Sequence, residues 1–523
     1  MELPLYRIPD TYKPSRRSFI CTTTSLAVAA LWSGKGFGAI TGNSKFSAYP
    51  FQLGVASGDP VADGFVIWTR LAPKPLEGGG MPMEPIAVDW IVAEDEGMSK
   101  VVRKGTATAT PDWVHSVHVE VEGLQPNRWY WYQFKAGGEV SQVGRARTMP
   151  LASDKPDRLR FAFASCQNYS HGFYTAYDHM AREDLDFVFH LGDYIYEQAE
   201  TPVSADRPRQ HFGPALKTLE QYRNRFALYK TDPFLQRMHA QVPWIVTWDD
   251  HETWNDMAGA AETTAAQLAR RAAAYKAYYE HMPLRRIALP RGPEMQMYRR
   301  LSFGNLAEFF VLDTRQFKTK VPYDGKHVPQ RKDAMDPQGT ILGDKQREWL
   351  FDGLGRSAGR WNVLAQQVLM GRVDLVNGEA DGYAMNTWSG YEVDRRRMLD
   401  FVAERKISNP VVLTGDIHSN WANELIRDFT RPDSPSVATE FVGTSISTKG
   451  DTVTNPARRE ALYSDNPFVK YYGDERGYVS CEITPDLWKT DYRTVAYVSK
   501  PGAPIHTNAS FVVEAGKPRL IRA

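Results

Sequence analysis

Cysteine is scarce: 523 residues hold three, Cys21, Cys166 and Cys481. The last two stand about three hundred residues apart, so no disulfide framework of the kind that staples small secreted domains is available. Excess charge of either sign is also missing. Sixty-three basic residues face 62 acidic ones, a formal net charge of +1, which argues against a broad polybasic surface for nucleic acid or membrane lipid. Long apolar runs are lacking too. The stretch from Ile20 to Trp32 is too short for a stable span and is diluted by Thr22, Thr23, Thr24 and Ser25, so no stable membrane insertion is expected. Internal repeats and low-complexity tracts are absent. What remains is a chain with 42% hydrophobic residues, long enough for two or three ordinary globular domains.

The N-terminus carries paired arginines, Ser15-Arg16-Arg17-Ser18-Phe19-Ile20, after a polar lead and before the weakly apolar stretch. This arrangement resembles a bacterial twin-arginine export signal covering residues 1–40, with cleavage near Gly38-Ala39-Ile40. It implies the twin-arginine export machinery as a partner and a periplasmic or extracellular location. Cys21 would leave with the signal. Cys481, within Tyr478-Val479-Ser480-Cys481-Glu482-Ile483, is expected to be a small core residue of a strand.

From residue 45 to 150 helical periodicity is weak, and short runs rich in Val, Trp, Tyr and Thr recur: Gly64–Thr69, Ile86–Val92, His115–Val121 and Trp129–Lys135. Turn signals such as Gly58-Asp59-Pro60 separate them, which predicts a small all-β sandwich. After Arg158 strands and helices alternate. Helical spacing covers Thr218–Lys230, Glu262–Glu280, Gly343–Leu354 and Glu392–Arg405. Residues 157–523 are therefore expected to form an α/β body, with an antiparallel hairpin about Asn305. The segments Lys318 to Thr340 and Asp374–Ser389 are expected surface loops.

Four polar clusters carry the chemistry, and each directly follows an apolar run of strand length. Leu159–Ala164 leads to Ser165-Cys166-Gln167, and Phe187–Leu191 to Gly192-Asp193-Tyr194-Ile195-Tyr196-Glu197. Trp244–Trp248 leads to Asp249-Asp250-His251-Glu252, and Val411–Leu413 to Thr414-Gly415-Asp416-Ile417-His418. Buried strands ending in such groups place them at one edge of a sheet, where open α/β folds bind ligands. Cys166, Asp193, Tyr196, Asp250, Asp416 and His418 are suitable ligands for two unlike ions. Thiolate and phenolate suit Fe(III), and carboxylates suit Ca2+. Two cations lower the pKa of a bound water and clamp negative oxygens, so the expected reaction is attack on a phosphoric ester by a metal-activated hydroxide or oxide.

These clusters, with Phe51-Gln52-Leu53-Gly54-Val55-Ala56-Ser57-Gly58-Asp59-Pro60 and Ile67-Trp68-Thr69-Arg70, resemble the alkaline phosphatase D (PhoD) family of metallophosphoesterases. The resemblance implies a metallophosphatase-type two-sheet sandwich with flanking helices, Fe(III) with Ca2+, and hydrolysis of phosphomonoesters, some members attacking phosphodiesters. It implies that Asp193 bridges the metals, that Tyr196, Cys166 and His418 hold iron, and that Asp416 and Asp250 hold calcium. Asp249 is an alternative to Asp250. His251 is then an outer group that hydrogen-bonds phosphate or protonates the leaving oxygen, and Arg315 either holds substrate phosphate or serves a structural ion pair. Asn168 either points at the site or caps a turn. His171, His190 and His211 are expected to be ordinary turn, core or surface residues, and Arg207 and Arg209 a basic loop segment that either approaches an anionic substrate or, the favoured reading, is solvated. The leading reading is an exported alkaline phosphatase. The alternatives are a phosphodiesterase of phospholipase D-like activity and a non-catalytic exported binding protein on a decayed scaffold.

Overall fold

Short runs that alternate or are apolar, rich in β-branched and aromatic residues and bounded by turns, favour strands, and many of the described strands are of this kind. The computed structural model describes residues 46–199, 202–330, 332–376 and 380–523. The twin-arginine segment lies outside them. The N-terminal strands are β1 (Val55–Val61), β2 (Gly64–Arg70), β3 (Ile86–Ala93), β4 (Val101–Ala109), β5 (Ser116–Val121), β6 (Trp129–Ala136), β7 (Glu139–Val140) and β8 (Gly144–Arg147). In the body follow β9 (Leu159–Ala164), β10 (Phe187–His190), β11 (Trp244–Val246), β12 (Arg299–Phe303), β13 (Ala307–Val311), β14 (His327–Val328), β15 (Trp361–Ala365) and β16 (Tyr383–Ala384). The last are β17 (Pro410–Thr414), β18 (Asn420–Ile426), β19 (Ser436–Val442), β20 (Val469–Gly473), β21 (Gly477–Ile483), β22 (Leu487–Val495), β23 (Ile505–Glu514) and β24 (Ile521–Arg522).

Two mixed sheets dominate the described residues. The first has ten strands in the order β24-β23-β22-β21-β9-β10-β11-β1-β2-β5, and the second seven, β12-β13-β15-β17-β19-β18-β20. Strands β9, β10 and β11 run parallel in the first, and β13, β15, β17 and β19 run parallel in the second. These strands are apolar on both faces because both faces are covered. Phe161, Phe163, Phe187 and Phe189 point inward onto Phe309, Trp361, Leu413 and Phe441 of the facing sheet. The Phe161 and Phe309 rings meet edge to face at 5.6 Å. Their neighbours Ala162, Ala164, Val188 and Val246 point outward onto Phe226, Met238, Tyr275 and Tyr278 of the covering helices. On the far side Phe310, Leu364 and Val412 meet the helices Gly343–Gly355 and Glu392–Glu404 through Leu350, Leu354, Met398 and Val402. The layers are therefore helix, sheet, sheet, helix.

The N-terminal strands enclose their own core. Val55, Phe65, Ile67 and Val117 pack against Val88, Val92, Tyr130 and Phe134. One layer of this sandwich is continuous with the body, since β1 pairs in parallel with β11 at Gly58 and Trp244. A Cβ at Gly58 would lie 2.6 Å from the Trp244 carbonyl oxygen and 2.5 Å from that of Pro283, so glycine is required at this approach. Helix 219–230 starts at Thr218 and helix 265–281 at Thr264, each closed by a threonine–glutamine capping box. The second begins three residues later than its spacing suggests because Thr264 caps it. The two expected loops are joined: β14 and β16 pair antiparallel, tying residues 327–328 to 383–384. No helix among the described residues is long and apolar enough to cross a membrane.

Candidate metal centre

The parallel strands of both sheets end at one place. After β9, β10 and β17 the backbone takes a conformation that L-residues rarely adopt: φ is +58° at Cys166, +57° at Asp193, and +61° at both Asp416 and His418. Such a conformation costs about 1–2 kcal/mol per non-glycine residue and persists where neighbours over-determine it. Those neighbours are present. The Cys166 N–H donates to the Gly192 carbonyl at 3.1 Å and the Gln167 N–H to that of Asp193 at 3.0 Å. The Glu252 carboxylate accepts from the backbone N–H groups of Asp193, Tyr194 and Asp249 at 3.1, 2.6 and 2.9 Å, clamping the turns after β10 and β11 together. Gly192, at φ +106°, lets the two turns touch, for a Cβ there would sit 2.4 Å from both the Cβ and the nitrogen of Asp249.

The resulting side chains form overlapping sets. Ligand atoms of Cys166, Asp193 and His418 lie within 4.8 Å of one another, as do those of Asp193, Asp250 and His251, and those of Asp249, Asp250 and Asp416. Tyr196 joins the first set: its hydroxyl donates to Asp193 Oδ2 at 2.7 Å and lies 3.2 Å from His418 Nε2. Arg315 joins the third. Its Nε donates to Asp249 Oδ1, its Nη2 to Asp416 Oδ1 at 2.7 Å, and its Nη1 stands 3.7 Å from Asp250 Oδ2. Its guanidinium is sealed from solvent. His251 Nδ1 is 2.6 Å from Glu197 Oε2, and its ring lies 4.2 Å from that of Tyr196. All eight sequence-predicted site residues are thus brought together, and Asp249 with them.

Burial and mutual repulsion set the charges. Burial, then Asp193, pushes the Cys166 thiol well above its usual range, and the same two causes raise the Tyr196 phenol. Asp193 is raised chiefly by burial, with His251 opposing. Asp249 is raised by burial in spite of Arg315, whereas at Asp250 Arg315 and His251 outweigh burial and hold the carboxyl low. Burial and then Lys449 hold His418 down to about 3, leaving a neutral imidazole able to donate a lone pair. At His251 burial is outweighed by Asp193, Asp250 and Glu197, which keep the ring protonated. Asp249 Oδ2 is buried without a hydrogen-bond partner among the described residues. A buried nest of thiol, phenol and carboxylates is costly unless cations neutralise it, and bound ions invert this pKa pattern. The donor set therefore fits two metal ions: one beside sulfur, phenol and imidazole, the other beside carboxylate oxygen.

Other residues had different fates. Asn168 caps the turn at 169–171 through its Oδ1, 3.0 Å from the Ser170 nitrogen. Arg209 is not solvated: it is buried, pairs with Asp232 at 2.7 Å and lies over the Tyr169 ring at 3.4 Å. Arg207 is half-buried. His190 and His211 are buried and His171 is half-buried. Roles were missed for Glu197 and Glu252, though both stand inside quoted clusters. Thr448 was missed altogether. Its hydroxyl lies 2.8 Å from Tyr196 Oη and 2.6 Å from the Cys166 carbonyl oxygen. The polar run Thr444-Ser445-Ile446-Ser447-Thr448 after buried β19 was the available signal.

Comparison with known proteins shows the family. The family model for the PhoD-like phosphatase matches residues 161–492, and that for the PhoD-like phosphatase N-terminal domain matches residues 38–150. The chain is 48% identical to alkaline phosphatase D of Bacillus subtilis (strain 168) over 475 residues, which is 90% of this chain and 82% of that protein. It matches a solved structure of PhoD with a TM-score of 0.89 at 47% identity, over 92% of this chain and 93% of the other. With matches on both sides of residue 150 and near-half identity across the body, the chain belongs to the PhoD-like phosphatase family.

Proposed function

We propose that this chain is an exported, metal-dependent alkaline phosphatase that releases phosphate from phosphomonoesters. The observation that carries the reading is the shared position of Asp193, whose carboxylate belongs both to the set with Cys166 and His418 and to the set with Asp250 and His251. A carboxylate shared by two unlike donor sets could be held in common by two unlike cations. The softer set, Cys166, Tyr196 and His418 with Asp193, suits Fe(III), and the oxygen set, Asp193, Asp250 and Asp416, suits Ca2+. Asp250 is preferred to Asp249 as ligand because Asp250 belongs both to the set with Asp193 and to the set with Asp416, whereas Asp249 belongs to the latter alone. When bound, the two cations neutralise phosphoryl oxygens and supply a nucleophilic water at moderate pH.

The chain's own residues do the rest. Arg315, enclosed by three carboxylates, positions Asp249 and Asp416. His251, held by Glu197, carries a proton toward the leaving oxygen. Thr448 orients the Tyr196 phenol. We read residues 157–523 as a catalytic unit of metallophosphatase type, residues 45–150 as a β-sandwich domain, and residues 1–40 as a twin-arginine signal supported by Arg16 and Arg17. Export of folded protein would let iron be loaded before export.

The test is hydrolysis of p-nitrophenyl phosphate by the purified protein, with metal analysis of the same sample and reversible loss of activity on Ca2+ chelation. Fully active protein that contains zinc alone would remove the Fe(III) and Ca2+ assignment. Failure to cleave any phosphoric ester with metals present would remove the enzymatic reading.

A further inference from the structure

The residue after Thr448 is Lys449, and its backbone is strained. Its φ is +74°, and Gly450 follows at +67°. A lysine in the left-handed region is disfavoured where glycine or asparagine is available at no steric cost. The turn is nonetheless pinned from several sides. The Lys449 N–H donates to His171 Nδ1 at 3.1 Å, the Gly450 N–H to the Ser447 carbonyl at 2.9 Å, and the Ser447 hydroxyl to the Asn168 carbonyl at 2.8 Å. Its effect is to hold a long cationic residue directly after Thr448, whose hydroxyl lies 2.8 Å from Tyr196 Oη.

Three neighbouring cations are occupied otherwise. Arg476 is buried, with Nη1 shared among the His418 carbonyl at 2.8 Å, Ser445 Oγ at 2.9 Å and the Thr448 carbonyl at 3.0 Å. Lys318 is buried and donates to the Asn386 carbonyl at 2.5 Å. Arg315 is sealed among carboxylates. Lys449 is exposed, and among the described residues its ammonium group has no ion-pair partner. Its charge is felt at the centre all the same, being the largest electrostatic influence on His418 after burial.

We propose that Lys449 is a substrate-positioning and specificity-determining residue whose ammonium group binds the second negatively charged oxygen of a phosphomonoester dianion. A phosphodiester presents an esterified oxygen in its place and gains nothing from the contact. The inference rests on the phosphoric-ester reading of the site. Backbone strain at this position is then the cost of aiming a cation that a glycine could not supply.

The experiment compares p-nitrophenyl phosphate with bis-p-nitrophenyl phosphate, which share a leaving group and differ in the oxygen at issue. For each preparation the ratio of the two kcat/KM values is taken, so partial loss of folded protein cancels. Lys449→Gly should lower the monoester-to-diester ratio by about ten- to a hundredfold, the weight of a charged hydrogen bond, while Tm stays equal to or above that of the parent. The monoester loss should fall mainly on KM. Lys449→Arg, which keeps the charge, should hold the ratio within about threefold of the parent. A ratio unchanged in Lys449→Gly, or lost equally in Lys449→Arg, overturns the proposal. Those outcomes leave the hydrolase reading intact, whereas a parent enzyme inert toward both esters defeats that reading instead.

Discussion

At the scale of single residues, the centre is a set of side chains whose ordinary protonation states conflict with their surroundings. Tyr196 touches Asp193, His418 and Thr448 through one oxygen, and its ring lies tilted against that of His251. Tyr196→Phe removes the oxygen and keeps the ring. The purified parent should be coloured by phenolate-to-Fe(III) charge transfer, and this variant should lose or shift the visible band with a nearly unchanged Tm. A band unaltered in the variant would take Tyr196 out of the iron set. His251 is the candidate acid because Glu197 fixes Nδ1 and leaves Nε2 to act. His251→Ala should lower kcat for an alkyl phosphate by about a hundredfold or more, the usual scale of general acid catalysis, and for p-nitrophenyl phosphate far less. Equal losses for both substrates would leave His251 no role in protonating the leaving oxygen.

At the scale of elements, function depends on how strand ends are clamped to one another. The turn after β10 and the turn after β11 share the Glu252 carboxylate, and Gly192 is the point of closest approach. Gly192→Ala would drive a methyl group into backbone and side chain of Asp249 at 2.4 Å, in a conformation that alanine rarely adopts. The expected cost exceeds about 3 kcal/mol, the range of overpacking combined with backbone strain, and metal content should fall with it. Calorimetry and metal analysis of this one variant test both statements. A stable, metal-replete Gly192→Ala protein would mean that the two turns are free to separate. The ribbon of β14 and β16 works at the same scale. It joins two loops, and Asn386 beyond it reaches Lys318 and Asp256, whose N–H in turn donates to Asp250 at 2.5 Å.

At the scale of the whole molecule, the N-terminal strands and the body are locked by buried basic groups. Trp68 of β2 donates to the Glu280 carbonyl at 3.0 Å, Arg70 lies 2.8 Å from His281, and the Lys230 ammonium sits 4.2 Å from the Trp68 ring centre. Burial pushes Lys230 down to about 7. Below that pH the ammonium is charged in folded and unfolded chains alike, and the folded state bears the full cost of burying it. Between about 7 and the ordinary value of 10.5 the folded chain releases the proton first, so stability rises with pH. Each unit of depression is worth about 1.4 kcal/mol. Lys230→Met should therefore be more stable than the parent at and below neutral pH, and the advantage should shrink toward pH 10. Thermal unfolding of both proteins across that range measures it. A difference independent of pH would show that Lys230 does not titrate on unfolding.

The sequence alone determined which residues are candidate ligands and on what kind of element each sits. An apolar run of strand length followed by a ligand-bearing cluster is a local pattern, and donor identity at Cys166, Asp193, Tyr196, Asp250, Asp416 and His418 is a property of residue type. Helices 343–355 and 392–404 were legible for the same reason, since a 3.6-residue period is also local. Strand β4 was not, because Val101–Ala109 is largely exposed and is ordered by its partner β3 rather than by its own pattern. Tertiary structure decided what no local pattern contains. It joined β1 to β11, turned Arg209 inward onto Asp232, and gave Asp249 to Arg315. It also brought Thr448 to Tyr196, 252 residues away, and set Lys449 in a strained turn beside His418. These are contacts between distant segments, selected by how two sheets pack and where their strands end, and periodicity along the chain carries no record of them.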